Sequence, residues 1–196
     1  MTPVMGGHDH DPDLGAMSRT DPPAILAPLQ RTMTHSLTGL IHLASAFLAL
    51  GTGAVIFFRP KAGALHRRLG YVYATSMLTV NITALLIYRL TGGFNFFHAF
   101  ALISLAGVAL GLRHAIARRP KETWLISHYY WMTWSYAGLM AAFVAESGTR
   151  MVLPFLRARG VEFSMGLFWA VVGLLSFAVI FTGRVLINRH SPLKHS

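Results

Sequence analysis

"LGYVYATSMLTVNITALLIY", residues 69–88, contains no Asp, Glu, Lys or Arg, and "HRR", residues 66–68, stands directly before it. An α-helix rises 1.5 Å per residue, so such a run covers about 30 Å, the depth of a bilayer's hydrocarbon core. Hydrocarbon cannot satisfy free backbone N–H and C=O groups, which makes helix the expected form. Four further uncharged stretches read the same way: residues 32–58, 90–112, 123–145 and 163–183. The expectation is an all-α, polytopic membrane protein with five transmembrane helices. Spans fall at about 36–58, 68–88, 95–115, 123–146 and 163–186, as an antiparallel four-helix bundle core plus a fifth helix.

Composition agrees. Hydrophobic residues make up 54% of the chain and charged ones only 12%, where a soluble domain is nearer a quarter charged. The net charge of +10 does not form one basic face but lies between the apolar runs, which argues against a nucleic-acid partner. There is no cysteine, so disulfides, thiolate metal sites and cysteine catalysis are excluded. Glu122, Glu146 and Glu162 all lie at span boundaries and no HExxH or nucleophile signature occurs, so a hydrolase is not expected.

The segments between spans carry helix-breaking chemistry: "RPKAG", "TGGFN", "RRPKE" and "ESGTRMVLPFLRARG". The middle of the last reads as a short interfacial helix. Residues 1–31 form a polar tail rich in Gly, Pro and Asp, expected to be loosely attached. Its "HDHD", residues 8–11, offers either a weak metal contact or simply a solvated surface. No cleavable signal is read, because the first apolar run is too long and starts too late. Residues 32–187 form the transmembrane domain and 188–196 a short cytoplasmic tail.

Positive charge orients the bundle. Arg59, Lys61, Arg67, Arg68, Arg113, Arg118, Arg119, Lys121, Arg184, Arg189 and Lys194 fall on one side. Arg19, Arg31, Arg89, Arg150, Arg157 and Arg159 fall on the other. The N-terminus is expected outside and the C-terminus in the cytoplasm of a bacterial inner membrane.

Ten histidines remain as the most chemically capable set. On this topology His42 and His98 belong to the outer ends of the first and third helices, with His35 on the same face as His42. His66 and His128 open the second and fourth helices at the inner end, with His114 nearby. Alternate helices of an antiparallel bundle face each other across its centre. Each pair can therefore ligate a flat macrocycle axially, as bundle cores hold b-type haem. Gly39 and Ser45 flank His42, Trp131 and Ser135 follow His128, and Tyr73 follows His66. Asn81 lies deep in the second helix, where a polar group is expected to face the interior. Lys61, Arg67, Arg68 and Arg113 stand ready for an anion or for haem propionates. The plainer alternative is that His66 and His114, beside arginines, meet lipid headgroups, as those four cations also do.

The stretches "HRRLGYVY", "FFHAFALISLAGVALGLRHAI" and "HYYWMTWSYAGLMAAFVAE" resemble a bacterial predicted-membrane-protein family, domain of unknown function 2306, over most of residues 35–146. That family implies a membrane location and no established activity. In layout, the chain also resembles di-haem transmembrane cytochromes of the b-561 type. These have four central helices, one ligand histidine on each, paired between alternate helices. The matching positions are His42 with His98 and His66 with His128, at successive intervals of 24, 32 and 30 residues.

The leading functional expectation is a membrane electron carrier with two haem b groups. A quinone or cytoplasmic donor would serve the inner one, and a periplasmic acceptor the outer. The alternatives are a small transporter or sensor with pH- or metal-responsive histidines, and an accessory membrane subunit without chemistry of its own. No proline lies inside any of the five spans and no internal repeat is found, which weighs against a transporter.

Overall fold

A computed structural model describes residues 26–59, 61, 63–87 and 92–189, with side chains from residue 37 onward. Two units are distinguished, Met1–Leu37 and Thr38–Ser196. Of the first, only helical backbone from Leu26 is described; the "HDHD" segment and His35's side chain lie outside the described residues.

Five helices follow in order: α1 (Leu26–Phe58), α2 (Ala64–Leu85), α3 (Phe96–Ala117), α4 (Trp124–Ala158) and α5 (Met165–Arg189). Among the described residues there is no strand. Four helices are long and apolar enough to cross a membrane: Leu37–Phe58 of α1, and α3, α4 and α5. The surface carries large apolar side chains such as Phe58, Met151 and Leu174, which are 84%, 75% and 70% exposed. Water would penalise that surface, whereas lipid accepts it.

α2 is built inside out. Its buried positions include Ser76, Asn81 and Thr83 beside Tyr73, Ala74, Met77 and Val80, while Leu65, Tyr71, Leu78 and Ile82 are exposed. Polar groups are costly against lipid and are turned towards protein partners. At 22 residues α2 is about 33 Å long, enough for the hydrocarbon layer.

Contacts fix the helix directions. His42 meets Thr83, and a Cβ on Gly53 would lie 3.2 Å from the Tyr73 ring, so α1 and α2 run antiparallel. Phe47 meets Phe143, and the Tyr136 hydroxyl donates to the Leu50 carbonyl, so α1 and α4 are antiparallel too. α2 packs on α3 and α3 on α4. α2 and α4 therefore face each other diagonally. Ala49, Tyr73, Ala74, Met77, Val108 and Leu139 form the core, drawn from all four helices. Gly53 lies under the Tyr136 ring, where no side chain would fit. α5 joins α4 on the outside: Tyr129 donates to the Ile187 carbonyl, and Leu175 packs where Gly148 lacks a side chain.

Two boundaries differ from expectation. Helix already runs from Leu26, inside the stretch assigned to the tail. α4 does not stop near residue 146 but continues to Ala158 with Pro154 inside it, and absorbs the segment read as interfacial. Glu146 and Arg150 pair along this extension at 2.7 Å. The stop comes at Gly160, φ 83°, where Gly160 N–H donates to Arg157 and Val161 N–H to Leu156, the Schellman arrangement. α4's 35 residues span about 52 Å, well beyond the hydrocarbon layer.

Candidate histidine site at one end of the bundle

His66 and His128 stand one turn into α2 and α4. Their ring centres are 6.4 Å apart and the ring planes are nearly perpendicular, at 88°. The pairing belongs to a register: Tyr73 donates to Ser135 at 2.8 Å, two turns further along both helices. The Ser135 proton is committed to the Met132 carbonyl, which makes Tyr73 the donor.

The His128 ring is oriented by α3. Its Nδ1 lies 2.9 Å from the Gly111 carbonyl oxygen, which can only accept, so Nδ1 carries the proton. Nε2 therefore keeps its lone pair, the state in which histidine binds a metal while its other nitrogen is held by a carbonyl. Gly111 permits the approach. A Cβ there would lie 2.6 Å from Met132 Sδ and 3.3 Å from Trp131 Cβ.

His114 does different work. Its Nδ1 donates to the Arg119 carbonyl at 3.0 Å and holds the turn between α3 and α4. Lys61, Arg67, Arg68 and Arg113 are exposed.

At the other end His42 and His98 have separate partners. His42 Nδ1 is 3.0 Å from Thr83 Oγ1. The Thr83 hydroxyl already donates to the Thr79 carbonyl at 2.7 Å, so the histidine is the donor. His98 is buried and completes a capping box at the start of α3: Asn95 Oδ1 accepts from Phe97 N–H, and Asn95 N–H donates to His98 Nδ1 at 3.2 Å. A neutral ring that accepts at Nδ1 carries its proton on Nε2, the nitrogen a haem iron would need.

These observations test the fit of a haem. Two iron–nitrogen bonds of about 2.0 Å, with each nitrogen roughly 1.1 Å from its ring centre, put axial ring centres about 6.2 Å apart. The His66 and His128 ring centres, 6.4 Å apart, lie at the separation at which two imidazoles would hold one iron between them. Gly70, one turn beyond His66 on the same face, has open space where a Cβ would stand. At this end His66 and His128 are the imidazoles that would hold such a group; at the other, His98 Nδ1 accepts from Asn95 N–H, which leaves the proton on Nε2. Among the described residues no group of three or more His, Asp or Glu converges on a metal-sized site.

Thr83 and Gly111 were not singled out from sequence. A threonine near the end of an apolar helix and a glycine in "GVALGL" carry no signal for the partner their oxygens will accept.

Fold and site together define a helical, multi-pass membrane protein with a histidine pair at one end of its bundle. Residues 39–182 match the family described as Predicted membrane protein (DUF2306), and the chain belongs to that family. The resemblance carried by "HRRLGYVY" and the two stretches after it is borne out, and the match extends into α5. No curated protein and no solved structure matches the chain.

Proposed function

We propose that this protein is a membrane electron carrier that holds one haem b between His66 and His128. The 6.4 Å separation of their rings carries the reading. The bound group supplies reversible one-electron exchange at its iron. His128 offers Nε2 because the Gly111 carbonyl holds Nδ1–H, and His66 faces it from the diagonal helix. Gly70, one turn beyond His66, puts no side chain on that face, and the exposed Lys61, Arg67, Arg68 and Arg113 would be available to the propionates. The chain sits in a bacterial inner membrane with α2 and α4 starting on the cytoplasmic side, where arginine and lysine are concentrated.

The second haem expected between His42 and His98 is not part of this proposal, because the capping box occupies Nδ1 of His98 and puts the proton on Nε2. The test is a visible spectrum of protein purified in mild detergent from haem-sufficient cells, oxidised and then reduced. A Soret band and sharp reduced α-bands at one haem per chain are expected, and both disappear in His66→Ala and His128→Ala. A colourless wild-type protein would overturn the reading.

A further inference from the structure

A cavity of about 200 Å³ lies between the end of α1 and the start of α2, lined by Ile56, Arg59, Gly63, Leu65, His66 and Leu69. Three of these are aliphatic walls; Arg59 and His66 are the two polar side chains. Residues 22–121 contain no Asp or Glu, so Arg59 has no carboxylate on α1, α2 or α3. Arg59, Lys61, Arg67 and Arg68, exposed around this end of α1 and α2, are the cations that the positive-inside rule assigns to the headgroups.

His66 is the link to the pair. His128 has a carbonyl for its second nitrogen. Among the described residues no hydrogen bond engages the His66 ring, although a metal-bound histidine regularly donates its other N–H to an oxygen acceptor. His66 also lines the cavity. An acceptor inside the cavity would supply what the protein itself does not.

We infer that this cavity binds the head group of a quinone, with a ring carbonyl accepting from His66 and Arg59 as a further donor. The inference rests on the haem reading for its purpose and deepens it by naming the donor class. A quinone head presents apolar faces to Ile56, Leu65 and Leu69, two carbonyl acceptors to the polar side chains, and an apolar tail to the lipid. A free phosphate makes no use of three aliphatic walls; a phospholipid would use them through its acyl chains, and the phosphorus measurement below separates it from a quinone.

The test measures quinone and phospholipid phosphorus extracted from the purified full-length protein, and equilibrium binding of decylubiquinone by calorimetry. About one quinone per chain is expected at saturation. Leu69→Trp and Ile56→Phe, two independent ways of filling the cavity, should each weaken decylubiquinone binding at least tenfold, with helix content and elution volume unchanged. Arg59→Gln should weaken it several-fold. Unchanged binding in whichever filling variant folds would overturn the inference. So would a fall in bound phosphorus with no fall in quinone, which would make the cavity a lipid site. Binding by haem-free protein upholds the cavity and overturns the haem reading. Haem without any quinone binding does the reverse.

Discussion

Tyr73 donates its phenolic proton to Ser135 across the centre of the bundle at 2.8 Å, over the same interval of 62 residues that separates His66 from His128. The two contacts, two turns apart, set α2 and α4 parallel and in register. Ser135→Ala would strand a buried hydroxyl, at a cost of about 1–3 kcal/mol, while Tyr73→Phe removes the donor and costs about 1 kcal/mol. The double variant should therefore be less destabilised than the sum of the two. Thermal unfolding in detergent measures this, and additive losses would mean the pair is not coupled.

Gly70 gives a test of space rather than ligation. A Cβ there meets nothing within 4 Å. Gly70→Phe should leave the fold intact and reduce haem content several-fold, since the ring fills the room left beside His66. Haem quantified as the pyridine complex, alongside helix content, reads both. Full occupancy in this variant would put the macrocycle elsewhere.

His98 separates a capping role from a ligand role. His98→Ala removes the acceptor for the part-buried Asn95 N–H and should cost about 1 kcal/mol. It should leave one haem per chain, in contrast to His66→Ala. A loss of haem without loss of stability would make His98 a ligand after all.

The natural absence of cysteine permits clean topology mapping. Single cysteines at Arg67 and Arg157, both exposed, are expected to react with a membrane-impermeant maleimide from opposite faces of the membrane. Arg157 should label in intact spheroplasts and Arg67 only after permeabilisation. Labelling of both from one face would contradict a membrane-crossing α4.

The five helices were legible because uncharged length is a direct physical requirement of lipid. The helix ends were less so. "ESGTRMVLPFLRARG" reads as a break between spans because it carries Gly148, Pro154 and Gly160, and nothing local says which of the three stops the helix. Gly148 instead faces Leu175 on α5, and Pro154 is accommodated near the end of the helix. A contact with a distant helix decided what the local residues left open. The inner histidine pair was legible from topology alone, since both residues open parallel helices. His98 was not: its position beside an apolar run looked the same for a ligand and for a capping group. Only the Asn95 backbone geometry separates the two.

The inside-out construction of α2 has a consequence for biosynthesis. Its polar groups turn away from lipid towards partners that include His42 on α1 and Ser135 on α4. By itself it gains less from the hydrocarbon than any of the four strongly apolar spans. α2 should leave the insertion machinery only as a hairpin with α1, held by the contact between His42 and Thr83. In a glycosylation-based insertion assay, α2 alone should remain largely untranslocated and the α1–α2 pair should insert. Assembly of this protein then begins with a pair of helices, and the order of synthesis becomes part of how the polar interior is kept out of lipid.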